Sequence, residues 1–330
     1  MYIGRIENII PNFIVMLFGK YIRVIFVLIS GLIVRQFFNV HDFHRVRDPP
    51  KEVVVRLRAR FGNHLFQLTS AMGIARHHNA SLCFIRSHFQ TTSVDSLFHS
   101  PPFRACSLST KLMYYTSRLD TFREDGHCMF SMPKAYTSTL VVGQYLQSYK
   151  YFENIDVVSL YHIKAQYALQ AENIIQNSIQ EQRDVQTIGI HVRRTDQLTA
   201  GFLNVPPAAY FIDAMEYFVQ KYKHVHFFVL SDDITWCKRQ DMFTLQNNVS
   251  FVETKSMMVD FTVLAKCMHV VISVGTFGWW GAFLGPHSHG GEVVYYNDEF
   301  NMQHKLNIGT VVSEDYYPPT WKCMAVSLLE

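Results

Sequence analysis

Charge is scarce in this chain: Asp, Glu, Lys and Arg make up only 17% of its 330 residues. An average soluble domain carries about 25%. The 30 basic and 27 acidic residues nearly cancel, for a net charge of +3. That balance supplies no dense basic face, so nucleic acid is not expected as a partner. No C-x-x-C pair occurs among the six cysteines, which excludes a zinc-finger or thioredoxin-like motif. There is no G-x-x-x-x-G-K-[ST], against a P-loop kinase or sulfotransferase, and no G-x-S-x-G, against a hydrolase of that type. H-E-x-x-H and D-x-D are also missing. Internal repeats of 20 to 50 residues and low-complexity tracts do not appear, which excludes a solenoid or propeller.

What replaces charge is 26 Phe, 17 Tyr and 16 His, within an apolar content of 48%. A chain of this length and composition builds a sizeable core, as one large or two modest domains. Most of the histidines, such as His77-His78 and His287-x-His289, read as isolated surface or loop residues, and no metal site is expected.

The N-terminal region is the apolar exception. Residues 13–18 and 24–34 are apolar runs with Lys20 and Arg23 between them. Neither run spans a membrane alone, but 9–34 reaches the ~20 residues a spanning helix needs, if the two cations snorkel. No small-x-small cleavage site follows, so a cleaved signal peptide is disfavoured. The expected organisation is a short tail (1–8), a signal-anchor segment (9–34), a Pro-ended stem (35–52) and a body (53–330). All six cysteines and the sequons at Asn79 and Asn248 lie in the body, which favours a lumenal or extracellular side. Flanking charges do not orient the anchor, and the cysteine pairing stays open among 15 connectivities.

Beyond residue 52, strand-like runs alternate with helical ones. Strands are expected at Val53–Leu57, Ser81–Ile85, Leu140–Val142, Thr187–Val192, Val225–Leu230, Val249–Val252, Val270–Val274 and Glu292–Tyr296. Helices are expected at Asn63–His78, 155–182, Pro206–Lys221, Met257–Met268 and Phe277–Leu284, with Ser87–Tyr136 irregular. Such alternation implies a parallel sheet with helices on both faces and ligands at the carboxyl ends of strands.

Three strand ends carry chemistry. At His191-Val192-Arg193-Arg194-Thr195-Asp196, alternation points His191 and Arg193 one way and Arg194 the other. Paired arginines there either grip an anion, a diphosphate above all, or pair with Asp196 and a distant carboxylate. At Val274-Gly275-Thr276-Phe277 a strand runs through glycine into a helix, which makes either an anion site or an ordinary capped junction with the following aromatics as core. Asp232-Asp233 could hold a metal or cap a helix; capping is the stronger reading.

Six segments, in order, resemble the galactoside α-1,2-fucosyltransferases of glycosyltransferase family 11. Arg58-x-Arg60-Phe61-Gly62-Asn63-His64-Leu65-Phe66-Gln67 is similar to their G-R-[LF]-G-N-Q-x-x-Q opening, and Gly143 to Phe152 to G-Y-x-Q-S-x-K-Y-F. His191 to Asp196 resembles the H-V-R-R-x-D motif shared with α-1,6- and protein O-fucosyltransferases. Leu230 to Lys238, Asp260 to Cys267 and Gly275 to Leu284 resemble S-D-D-x-x-W-C-K, D-F-x-L-x-x-x-C and T-F-G-x-W-x-A-x-L. The chain departs from the pattern at Ala59 (usually Gly), His64 (usually Gln) and Gly281 (often Ala).

The resemblance implies an α/β, GT-B-like, two-lobed Rossmann-type glycosyltransferase behind a single N-terminal anchor. In that scheme residues 53–182 form the acceptor-side lobe and 183–330 the GDP-sugar lobe. The implied reaction moves L-fucose from GDP-β-L-fucose to the 2-hydroxyl of a terminal galactose, inverting and without metal or cofactor. The implied setting is the Golgi membrane, type II, with a lumenal body. Arg193 and Arg194 with the N–H groups of Thr276 and Phe277, freed by Gly275, would bind the diphosphate. His191 and Asp260 would take the nucleoside, and Asp196 would act as base or orient the arginines. Asn63, Gln67, Asp232 and Asp233 would shape the donor site. A fucosyltransferase of other linkage, or a non-catalytic anchored glycan-binding protein on the same scaffold, are the alternatives. Low charge and many aromatics then fit a sugar-handling cleft.

Overall fold

Three consecutive β-branched residues, Val53 to Val55, open the body as a buried strand, since such side chains pack well on a pleated surface. The computed structural model describes residues 51–85, 93–99, 103–116, 119–126, 128–136, 138–180, 182–304 and 311–326. They belong to one compact unit that starts at Pro50. The expected tail, anchor and nearly all of the stem lie outside the described residues; Glu52, assigned to the stem, instead begins the first strand. Among the described residues no helix is long and apolar enough to cross a membrane.

Two parallel sheets form the framework. The first contains β1 (Glu52–Arg56), β2 (Ser81–Ile85), β3 (Arg104–Ala105), β4 (Asp120–Phe122) and β5 (Thr139–Val142) in the order β3-β2-β1-β5-β4. The second contains β6 (Gln186–Val192), β7 (Val225–Ser231), β8 (Val249–Phe251), β9 (His269–Ile272), β10 (Val293–Tyr296) and β11 (Lys322–Met324) in the order β11-β10-β9-β6-β7-β8. Every strand pairing is parallel. In each sheet the chain builds outward, then returns beside its first strand, β5 next to β1 and β9 next to β6. Those two reversals are the switch points at which such sheets open a crevice.

The principal helices are α1 (Phe61–His77), α2 (Ala165–Ile179), α3 (Ala208–Lys221), α4 (Ile234–Cys237), α5 (Met257–Lys266) and α6 (Thr276–Leu284). Helix α2 is amphipathic, with Ala171, Ile175 and Ile179 inward at a four-residue spacing. Helix α6 is apolar on every side and is accordingly buried, packing on α1 and α5. Trp279 and Trp280 are 0% exposed and stack among Phe66, Phe152 and Phe283. Each such ring buried contributes roughly 1.5–3 kcal/mol. These rings are core that joins α1 to α6, while others, among them Phe61, Tyr145, Phe202 and Phe277, line the cleft described below.

The strands β3, β4 and β11 fall where no strand was expected; at two or three residues each, they are too short to show a period. The helix expected over 155–182 is confined to Ala165–Ile179, after a 3₁₀ turn at Val158–Leu160 and a bridge between Phe98 and Ile163. Cys83 on β2 and Cys106 just past β3 form a disulfide, while Cys128, Cys237, Cys267 and Cys323 are free.

Candidate functional site

The carboxyl ends of both sheets converge on one cleft of about 1260 Å³. The first sheet contributes Arg58 to Asn63 beyond β1, Phe122 at the end of β4 with Arg123 to Gly126 beyond it, and Gly143, Gln144, Tyr145 and Gln147 beyond β5. The second contributes His191 near the end of β6, Arg193 and Asp196 beyond it, Ser231 and Asp232 at β7, Val274 to Phe277 beyond β9, and Glu299 beyond β10; Asp260 joins from α5.

Arg193 occupies the switch point of the second sheet. Its backbone N–H donates to Ser273 Oγ at 2.8 Å. Its Nη1 forms an ion pair with Asp232 Oδ2 at 2.8 Å and its Nη2 forms one with Asp196 Oδ1 at 2.6 Å. Asp196 Oδ2 also accepts from Arg60 Nη2 at 3.0 Å, which ties the first sheet's opening loop to the second. Both carboxylate partners foreseen as the alternative to an anion are thus present. They hold the guanidinium by its two terminal nitrogens, on a fork that carries five N–H donors.

Arg194 takes the other course. It does not line the cleft. Its guanidinium stacks 3.9 Å over the Trp236 ring, with Nε 3.6 Å from Asp233 Oδ2. Asp233 caps α4 by accepting from the Trp236 backbone N–H at 3.1 Å. Asp232 accepts from the backbone N–H groups of Arg194 and Thr195 and from the Thr195 hydroxyl. The acidic pair is therefore divided between aiming Arg193 and capping α4. No cluster of three metal-ligating side chains stands among the described residues.

The junction at β9 has the geometry of an anion site. Gly275 adopts φ 87°, which a side chain would strain, and α6 starts at the next residue. Its first residues, Thr276 and Phe277, line the cleft, and a helix N-terminus favours negative charge. A Cβ on Gly62 would come within 2.6 Å of Thr276 Oγ1, and one on Gly278 within 2.4 Å of His191 Nδ1. Glycine at both positions is required by close approach.

His191 is buried and stacked on Phe277, with ring centroids 5.5 Å apart. Burial lowers its pKa to about 4, so it is neutral near pH 7. Asp260 accepts from Thr254 Oγ1 at 2.6 Å, and burial raises its pKa. Asn63 lines the cleft and accepts from Gln147 Nε2 at 2.7 Å. Gln67 stands behind the wall. It brackets the loop by accepting from Arg58 N–H at 2.8 Å and donating to Arg58 O at 3.1 Å.

Of the three departures from the motif, only Gly281 has a local explanation. Ala59 sits at φ 63°, the region glycine favours. A Cβ at Gly281 would meet Leu264 Cδ2 at 2.5 Å. His64 is buried with both ring nitrogens unpartnered, and nothing in the structure explains it. Asn79 is exposed at φ 50° just past α1, whereas Asn248 donates its amide to Val225 O at 3.1 Å.

Two cleft carboxyls escaped the sequence reading. Glu124, beyond β4, is buried and accepts from Leu146 N–H at 2.9 Å; burial pushes its pKa up to about 8. Glu299 is likewise pushed up to about 8 by burial and accepts from Gly275 N–H at 2.8 Å. Glu299 follows β10 closely enough for the strand-end rule to have found it. Glu124 lies in the aperiodic stretch and gave no signal.

Comparison with known proteins adds family and fold. Human galactoside alpha-(1,2)-fucosyltransferase 1 is 33% identical over 120 residues, 33% of this chain and 30% of that protein. In that match the chain thus spans less than a third of the relative's length. The galactoside 2-alpha-L-fucosyltransferase of Caenorhabditis elegans is 25% identical over 290 residues, 83% of this chain and 79% of that one. A mutant of Arabidopsis thaliana FUT1, in complex with GDP, has a similar fold, with TM-score 0.50, 15% identity, and coverage of 82% of this chain and 75% of that one. The profile of glycosyl transferase family 11 matches residues 24–323, from before β1 into β11. The two parallel Rossmann-like sheets and the six ordered segments therefore have one shared origin: this chain belongs to glycosyl transferase family 11.

Proposed function

We propose that this chain is an inverting, metal-independent fucosyltransferase of GT-B-like architecture. It would move L-fucose from GDP-β-L-fucose to the 2-hydroxyl of a terminal galactose on a glycan. The carrying observation is that Arg193 and the first residues of α6 line one cleft at the second sheet's switch point. A fixed guanidinium fork and a helix N-terminus suit a diphosphate without a metal. The second sheet would hold the donor and the first would receive the acceptor. His191 and Asp260 would take the nucleoside, a carboxylate being matched to the guanine N1–H and N2–H₂ donors. Asn63 shapes the first-sheet wall.

In the reaction the sugar passes through an oxocarbenium-like state while negative charge grows on the β-phosphate. Arg193 and the N–H groups of Thr276 and Phe277 would stabilise that charge. Asp196 would take the acceptor's proton. It is 40% exposed and accepts from Arg60 and Gln197 beside its ion pair with Arg193, which leaves lone-pair capacity for a proton. Arg194 would act at a distance, by fixing the turn that carries Arg193.

The disulfide Cys83–Cys106 supports an oxidising compartment, and we place the body in the Golgi lumen behind a type II anchor at 9–34. Asn79 is the accessible sequon. The test is a panel of GDP-sugars offered to the full-length chain with galactose-terminated acceptors, with and without EDTA. Transfer from GDP-fucose undiminished by EDTA is expected. Transfer of another sugar only, or activity restored solely by a divalent cation, would refute the donor or the metal-free reading respectively.

A further inference from the structure

Glu299 lies three residues past β10, is 2% exposed, and lines the cleft at its anion end. Its Oε1 accepts the backbone N–H of Gly275 at 2.8 Å, and α6 starts at the next residue. The carboxyl is thereby fixed beside the first-turn N–H groups that favour an anion. No cation is paired with it among the described residues. The titratable groups that feel its charge are Tyr210 on α3, Tyr316 and the Cys128 thiol, all neutral near pH 7, with Asp298 its neighbour in sequence. Burial is the largest influence on its proton affinity, and the Gly275 N–H opposes it.

An ionised carboxylate in this place would repel any phosphate that the helix attracts. A neutral carboxylic acid does the opposite, because it carries an O–H donor on the oxygen not held by Gly275. We propose that Glu299 is a catalytic residue that binds donor as the neutral acid and donates a hydrogen bond to the phosphate oxygen leaving the transferred sugar. This rests on the reading of the cleft as a GDP-sugar site. As the acceptor oxygen bonds to the anomeric carbon, the bond from that carbon to the phosphate oxygen breaks, and its electron pair stays on the phosphate. The acceptor's hydroxyl proton passes to Asp196. The Glu299 proton remains shared with the departing oxygen, whose charge it spreads alongside Arg193. No oxidant, reductant or further reactant is needed.

The same group sets an alkaline limit. Above about pH 8 its proton is lost, and a repelling charge replaces a donor. The experiment compares kcat/KM for GDP-fucose between about pH 6 and about pH 9.5 in wild type, Glu299→Gln and Glu299→Ala, with GDP affinity titrated alongside. The wild type should lose about tenfold per pH unit on the alkaline side, in kcat/KM and in GDP affinity alike. Glutamine keeps an acceptor for Gly275 and an N–H for phosphate but cannot ionise. Its turnover should fall roughly tenfold at neutral pH and then stay level across the range, whereas alanine should lose about a hundredfold. A wild type with no alkaline limb, a glutamine variant with the same limb, or glutamine no better than alanine would overturn the proposal. Absence of transfer from any GDP-sugar by the wild type would instead overturn the reading of the cleft, and the proposal with it.

Discussion

Replacing Arg193 by lysine separates a phosphate clamp from a structural strut. In the wild type Nη1 meets Asp232 at 2.8 Å and Nη2 meets Asp196 at 2.6 Å, so two carboxylates hold the fork in one plane. The remaining N–H groups are thereby held in the cleft that the helix N-terminus also lines. A lysine ammonium keeps the charge but cannot satisfy both carboxylates and a phosphate in that geometry. One charge-assisted hydrogen bond to phosphate lost in a protected site costs about 1.5–3 kcal/mol. At about 1.4 kcal/mol per factor of ten, that predicts a fall in kcat/KM of roughly 10- to 150-fold. Stability should change far less, by about 1 kcal/mol or under, because Asp196 is 40% exposed and the charge is retained. The assay is kcat/KM for GDP-fucose beside a urea unfolding midpoint. Activity within about threefold of wild type would refute the clamp; a stability loss as large as the activity loss would make Arg193 a strut.

Ala59→Gly relieves a left-handed alanine at φ 63° and should raise unfolding stability by about 1 kcal/mol, read from the urea midpoint. Gly278→Ala drives a methyl to 2.4 Å from His191 Nδ1; it should cost about 1–3 kcal/mol and weaken GDP binding in a calorimetric titration. Glu124→Gln addresses pH. The native carboxyl titrates near 8 against 4.5 as a model group, so the fold holds the extra proton between those values. The stability Glu124 contributes is therefore full below about pH 4.5 and is lost as pH rises to about 8, by at most about 1.4 kcal/mol per pH unit. The variant should show a shallower decline over that window in denaturant titrations; an unchanged slope would contradict the buried assignment.

The second sheet was legible because its central strands are long apolar runs that end in distinctive residues. Strand alternation at His191 to Arg194 even separated the arginine that faces the cleft from the one that does not. The destination of Arg194 was not legible, since it depends on Trp236 and Asp233 arriving from the next βα unit. Edge strands β3 and β4 are fixed by pairing with β2 and β5, distant in sequence, rather than by any period of their own. Glu299 carries no motif; its meaning comes from a backbone N–H 24 residues earlier. The division of the aromatics between core and cleft was not legible for a related reason. Composition shows how many rings there are, but only packing shows that Trp279 and Trp280 belong to the core.

The central claim is the bond that is made. Full-length protein incubated with GDP-β-L-fucose and a β-galactoside should yield one product, and its linkage and anomeric configuration can be read by NMR. The account predicts fucose in α configuration on the galactose 2-hydroxyl. A β-linked product would contradict inversion, and fucose on any other position, or on protein, would contradict the assigned acceptor.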